Sequence, residues 1–211
     1  MKLFGVEIER KTDILAAAAF LMSLLGIVGQ VALFLRGPDI QLFTPEQILI
    51  KGHENPDGNI YLRVSALMVY RNAGSPGYHD TIKKEYVSFK LGDDKYKLIW
   101  DEFIDSYPDE IDKNKLIINR KSEAIPVQIN AGMVETHETF FAPWIIKNDK
   151  ELKSFLEWND FKRLVSKQEK IAFRFTFEAF SGKVDSVNCH VLVKEFLGNL
   201  GKGWSAPVTY Y

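Results

Sequence analysis

The chain has 211 residues, 46% of them hydrophobic and 26% charged, enough for one ordinary domain and an appendage but too few for a multi-domain machine. Its 27 basic and 28 acidic residues leave a net charge of -1, with no electrostatic footprint for nucleic acid and no strong pull toward an anionic surface. One cysteine excludes an intrachain disulfide framework and any multi-cysteine zinc or iron–sulfur site.

Residues 1–13 read as a short tail, and Ile14 to Leu35 as an uncharged apolar run of 22 residues between Asp13 and Arg36. At about 1.5 Å per residue a helix of that length crosses the ~30 Å hydrocarbon core of a bilayer. Twelve of the 22 are Leu, Ile, Val or Phe, which outweigh Ser23 and Gln30 in the transfer to lipid. Gly37-Pro38 then stops the helix. A cleaved signal peptide fits less well, because Phe34-Leu35-Arg36-Gly37-Pro38 offers no small-x-small site and the run exceeds the usual apolar region. The expectation is an uncleaved signal-anchor in an inner or plasma membrane. Lys2, Arg10 and Lys11 before the span against Arg36 and Lys51 after it favour a cytoplasmic N-terminus and a periplasmic or extracellular C-terminal domain.

Within the span, Ala16, Ala19, Ser23, Gly26 and Gln30 recur at spacings of three and four, so small and polar groups share one stripe. An amide facing hydrocarbon without a partner costs free energy, and small residues let backbones approach closely. The stripe is predicted to pack against a protein partner in the membrane, either a second copy or another subunit.

Residues 36–45 read as a linker and 46–211 as one mainly-β domain. Gln47 to Lys51 is predicted to pair with the alternating set Ile60, Leu62, Val64, Ala66, Met68 and Tyr70 across the turn Asn55-Pro56-Asp57-Gly58. Further strands are expected around 86–91, 96–100, 115–119, 127–129 and 134–140. Asp149 to Lys167 carries apolar residues at helical spacing and predicts one short helix, broken near Trp158-Asn159, covering an end or edge of the sheet. The clearest strand places Ile171, Phe173, Phe175, Phe177 and Ala179 on one face; Val187, Cys189, Val191 and Val193 repeat the pattern after Ser181-Gly182, predicting an antiparallel hairpin. Seven to nine short strands match an immunoglobulin-like two-sheet sandwich with one helical insertion better than a barrel.

Candidate chemistry is sparse. Cys189 and His190 point to opposite faces of one strand, so a nucleophile–base pair is not formed there. His137 and Glu138 also alternate and read as surface polar residues, while His53 and Glu54 precede a turn and read as loop. The acidic run Asp101, Glu102, Asp105, Asp109, Glu110 and Asp112 reads as a solvated loop with the donors, though not the order, of a calcium site. Neither a P-loop nor a Gly-x-Ser-x-Gly elbow occurs. Phe140-Phe141-Ala142-Pro143-Trp144 and the uncharged Trp204 to Tyr211 segment carry more aromatic surface than one strand face buries, so Phe141, Trp144, Trp204, Tyr210 and Tyr211 are candidates for a partner surface. The expectation is a non-catalytic, single-pass accessory or scaffold protein without cofactor, metal or small-molecule substrate, contacting lipid and a protein partner. The alternatives are a membrane-tethered hydrolase or metal-dependent enzyme, and a calcium sensor using the acidic run.

Overall fold

The computed structural model describes residues 2–3, 6–7, 12–35, 37–56, 58–110, 116–143, 152–153, 155–194 and 204–207. In chain order these form β1 (Lys2–Leu3), β2 (Val6–Glu7), α1 (Thr12–Phe34), β3 (Ile40–Phe43), β4 (Gln47–Glu54), β5 (Ile60–Asn72), β6 (His79–Leu91) and β7 (Asp94–Pro108). There follow β8 (Leu116–Glu123), β9 (Val127–Asn130), β10 (Val134–Ala142), β11 (Leu152–Lys153), α2 (Trp158–Val165), β12 (Lys170–Ala179), β13 (Val184–Leu192) and β14 (Trp204–Pro207).

All strands but β1 and β2 join one sheet, in the order β13-β12-β6-β7-β10-β5-β4-β14, with β3 on β5, β8 and β11 on β7, and β9 on β6. The two ends approach each other, since β13 comes near both β3 and β14, so the sheet wraps into a nearly closed, barrel-like sandwich. The mainly-β class and the apolar N-terminal helix are therefore as expected. The registers do not establish the immunoglobulin-like type, because a single continuous sheet carries the strands.

Alternation sets the inner face. Phe173, Phe175 and Phe177 of β12 are fully buried, and β13 pairs with β12 from Leu192↔Lys170 to Val184↔Glu178, as the two alternating runs require. Phe177 meets Tyr70 edge to face at 5.5 Å and Phe175 meets Phe141 at 5.7 Å, linking opposite walls of the core. The expected 149–167 helix is shorter: Leu152–Lys153 pairs in parallel with β7, and α2 begins only at Trp158. Phe161 and Val165 of α2 are buried in the core, and the Leu62 N–H donates to Leu156 O at 2.9 Å, so the segment closes the end of the barrel near the β4–β5 turn.

The other end is organised by Asn72. Its side chain is wholly buried; Oδ1 accepts from the Asp39 and Gly74 N–H groups, each at 3.0 Å, and Nδ2 donates to Ile129 O at 3.1 Å and Tyr78 O at 3.4 Å. Its backbone N–H donates to Met133 O at 3.1 Å and its carbonyl accepts from Gly132 N–H at 2.8 Å. The expected linker is thus largely part of the domain: β3 pairs with β5, Ala73 N–H donates to Asp39 O at 2.8 Å, and Ser75 N–H donates to Gly37 O at 3.3 Å. Gly74 permits this closeness, because a Cβ there would lie 2.4 Å from Gly37 O and 2.8 Å from Asp39 N. Asn72→Ala removes a partner from four backbone groups, of which Tyr78 O keeps the Ala131 N–H. With about 1–3 kcal/mol for each one that water cannot reach, the variant is expected to lose about 3 kcal/mol, read by urea unfolding in detergent micelles.

Candidate functional site

The membrane stripe is open along its whole described length. Ile14–Ala32 is a 19-residue apolar stretch of α1 with none of it buried by the rest of the chain. Ala16, Ala19, Ser23, Gly26 and Gln30 are all exposed, and nothing lies within 4 Å of the Cβ position at Gly26. One helix face therefore offers small groups and an amide to whatever surrounds it.

The aromatic candidates divide differently. Phe141 is fully buried against Phe175, so it belongs to the core and is removed from the candidate partner surface. Its inward direction follows from pairing with Val64 on β5 and Trp100 on β7. Trp204 opens β14 opposite Ile50, but its side chain, like Trp144, Tyr210 and Tyr211, lies outside the described residues.

A polar cluster sits inside the barrel. Glu85 of β6 is fully buried, and its Oε1 lies 2.6 Å from His137 Nε2 while Thr139 Oγ1 donates to Oε2 at 3.0 Å. His137 is corrected from a surface residue to an inward one: paired with Met68, its ring lies 5.5 Å from Tyr70 and 4.6 Å from Phe103 between centroids. The Tyr70 hydroxyl is buried beside Glu85 without a hydrogen bond of normal geometry, and burial, reinforced by the carboxylate, raises its pKa well above 10.0. The cluster lies where β6 changes partners: it pairs with β7 only from Tyr86 onward and with β9 only up to Ile82. A register shift against β12 between Ile82 and Lys84 resets the alternation, so Ile82 and Glu85 both face inward.

This cluster has an acid–base pair but no nucleophile: its one hydroxyl of defined direction, Thr139, donates to the carboxylate. Cys189 lies in the core on β13, and burial pushes its thiol up to about 12. Among the described residues, no three His, Cys, Asp or Glu side chains are grouped to hold a metal ion. The acidic run is corrected from loop to strand through Pro108, and residues 111–112 lie outside the described residues. Asp101 meets Arg63 at 3.4 Å, Glu102 meets Arg120 at 3.2 Å, and Asp105 meets Lys121 at 2.8 Å, so these carboxylates face cations of the protein itself.

On the outer face, β4 and β5 set Lys51 directly opposite Arg63, a like-charge pair, with the Phe140 ring 4.5 Å below the ammonium. Burial first, and Arg63 second, lower the Lys51 pKa below 10.5; burial, Arg63 and Lys51 likewise lower that of His53 below 6.5. His53 and Glu54 are the last residues of β4 rather than loop. No protein-family model matches the chain, and no curated protein matches it.

Two substitutions test these clusters by unfolding in micelles. His137→Ala removes one of the two hydrogen-bond partners of buried Glu85, Thr139 Oγ1 remaining, and is expected to cost about 2–3 kcal/mol. Lys51→Met keeps the cover over Phe140 while removing the like charge, and is expected to gain about 0.5 kcal/mol after solvent screening. Because the folded Lys51 pKa is depressed, the wild type regains this free energy as pH rises through that value toward 10.5, and the variant lacks that rise.

Proposed function

We propose that the chain is a single-pass membrane-anchored accessory or scaffold protein, non-catalytic in itself, whose helix packs beside a partner helix in the bilayer. The carrying observation is that Ile14–Ala32 is long and apolar enough to span and is covered by no part of its own chain. Water is an unfavourable surrounding for such a surface, at roughly 25 cal/mol per Å² of exposed apolar area, so lipid and neighbouring helices are its natural cover. Gln30, Gly26, Ser23 and Ala19 on one face supply the close approach and the amide that lipid alone does not use. The β domain carries the second contact, and the tail's Lys2, Arg10 and Lys11 favour a cytoplasmic N-terminus with the domain periplasmic or extracellular.

Cross-linking in native membranes tests the partner contact, comparing wild type with the triple variant Ala19→Leu/Gly26→Leu/Gln30→Leu. The expected outcome is a drop of about tenfold or more in the cross-linked species, equivalent to the ~1–2 kcal/mol associated with interhelical polar and packing contacts. Equal cross-linking of both proteins would remove the stripe as an interface.

A further inference from the structure

The end of the barrel built around Asn72 also carries an unusual surface. Turns at domain edges favour polar residues, yet the two turns beside Gly37–Asp39 present Met133, Val134, Phe180 and Val184 with fractional exposures of 58, 56, 63 and 57%. Their positions are set by tight backbone geometry. Gly182, at φ 88°, donates its N–H to Ala179 O at 3.1 Å, and Ala179 N–H donates to Lys183 O at 2.8 Å, leaving Phe180 at the turn's tip. Met133 N–H donates to Asn130 O at 3.1 Å, which closes the other turn.

Both turns are fastened to the chain as it leaves α1. Lys183 forms an ion pair with Asp39, while Met133 O and Gly132 N–H are bound to the backbone of Asn72, whose side chain also holds Asp39. Gly37 follows Leu35 by two residues and Ala32 by five, so even a fully extended chain places it no more than about 17 Å beyond the apolar span. The headgroup layer is itself about 5–8 Å deep on each side of the hydrocarbon. The rim therefore cannot move far from the membrane surface. We propose that this end of the β domain sits in the headgroup layer of the anchoring membrane, with Met133, Val134, Phe180 and Val184 immersed among the lipids. The placement rests on the anchor reading above, and adds a second, interfacial contact that fixes how the domain stands on the bilayer. Apolar side chains at the headgroup–acyl boundary are favourably placed, whereas in water the four remain uncovered.

The test uses the full chain in phosphatidylcholine vesicles with a nitroxide at one introduced thiol, Cys189 being only 1% exposed and so hidden from the label. Phe180→Cys and Met133→Cys probe the rim, Leu25→Cys the span, and Phe155→Cys the far end beside α2, where Phe155 meets Tyr61. Power saturation reads accessibility to oxygen against a water-soluble nickel chelate. The rim labels are expected to give an oxygen-to-nickel ratio about threefold or more above that at Phe155, with Leu25 higher still. A rim ratio equal to that at Phe155, with Leu25 still in lipid, overturns the rim placement and leaves the anchor standing. A Leu25 label in water overturns both.

Discussion

A single buried amide ties the β domain to the segment that follows α1. Asn72 uses its side-chain oxygen, its side-chain NH2 and both backbone groups to join the segment leaving α1, the β5–β6 loop, β9 and the β9–β10 turn. Buried donors and acceptors left unmatched are costly, so these partners come as a set. No aliphatic side chain of similar volume reproduces two acceptors' worth of lone pairs on one side and two donors on the other. The result is a β domain that starts two residues after Leu35, with Gly37 already bonded to Ser75.

The interior follows a second constraint of the same kind. A barrel-like core filled by Phe173, Phe175, Phe177 and Phe141 has little room for charge, yet Glu85 is enclosed by it with His137 and Thr139 as partners. Strand β10 serves both sides of the sheet: His137 and Thr139 face inward, while Glu138 faces outward and accepts from Ser65 Oγ at 2.9 Å and Ser106 Oγ at 2.7 Å. Such directed pairs have few alternative geometries, so they disfavour a register slip that would turn the strand over. The Glu85 group stands where β6 passes from its pairing with β9 to its pairing with β7.

Where one alternating pattern ran unbroken, it was legible in the sequence. The β12–β13 hairpin, the pairing of β4 with β5 and the core position of Cys189 all follow from period two. Misreadings concentrate where pairing is irregular or where polar residues serve as partners. Glu85 shares the parity of Val87, Phe89 and Leu91, but its charge masks it, and the shift at Lys83 adds Ile82 to the same face. His137 was read as a surface residue because its polarity outweighed its parity, although Phe141, four residues on, shares its face. The carboxylates from Asp101 to Asp112 resemble a solvated loop, but cations on β5 and β8 meet those at 101, 102 and 105, within a paired strand that runs to Pro108. The aromatic surplus at 140–141 divides between the two sheet faces, with Phe141 in the core and Phe140 beneath Lys51. The clasp at Asn72 reaches from position 72 to Met133, a separation at which sequence spacing carries no geometric information.

The clasp also changes what the anchor does. A flexible ten-residue linker over 36–45 would spread its end over about 18 Å and let the domain tumble freely relative to α1. With Gly37 bonded, only Arg36 separates the bonded segment from Leu35, the last described residue of the α1 segment. The conformational freedom that such a linker would lose on every partner encounter is already surrendered when the domain folds. On the proposed reading, a partner meeting the helix stripe would find the domain within a narrow range of positions, and the local concentration of a second contact would rise without any increase in its own affinity. Asn72 acts through geometry, by holding the segment that follows α1 against the β domain.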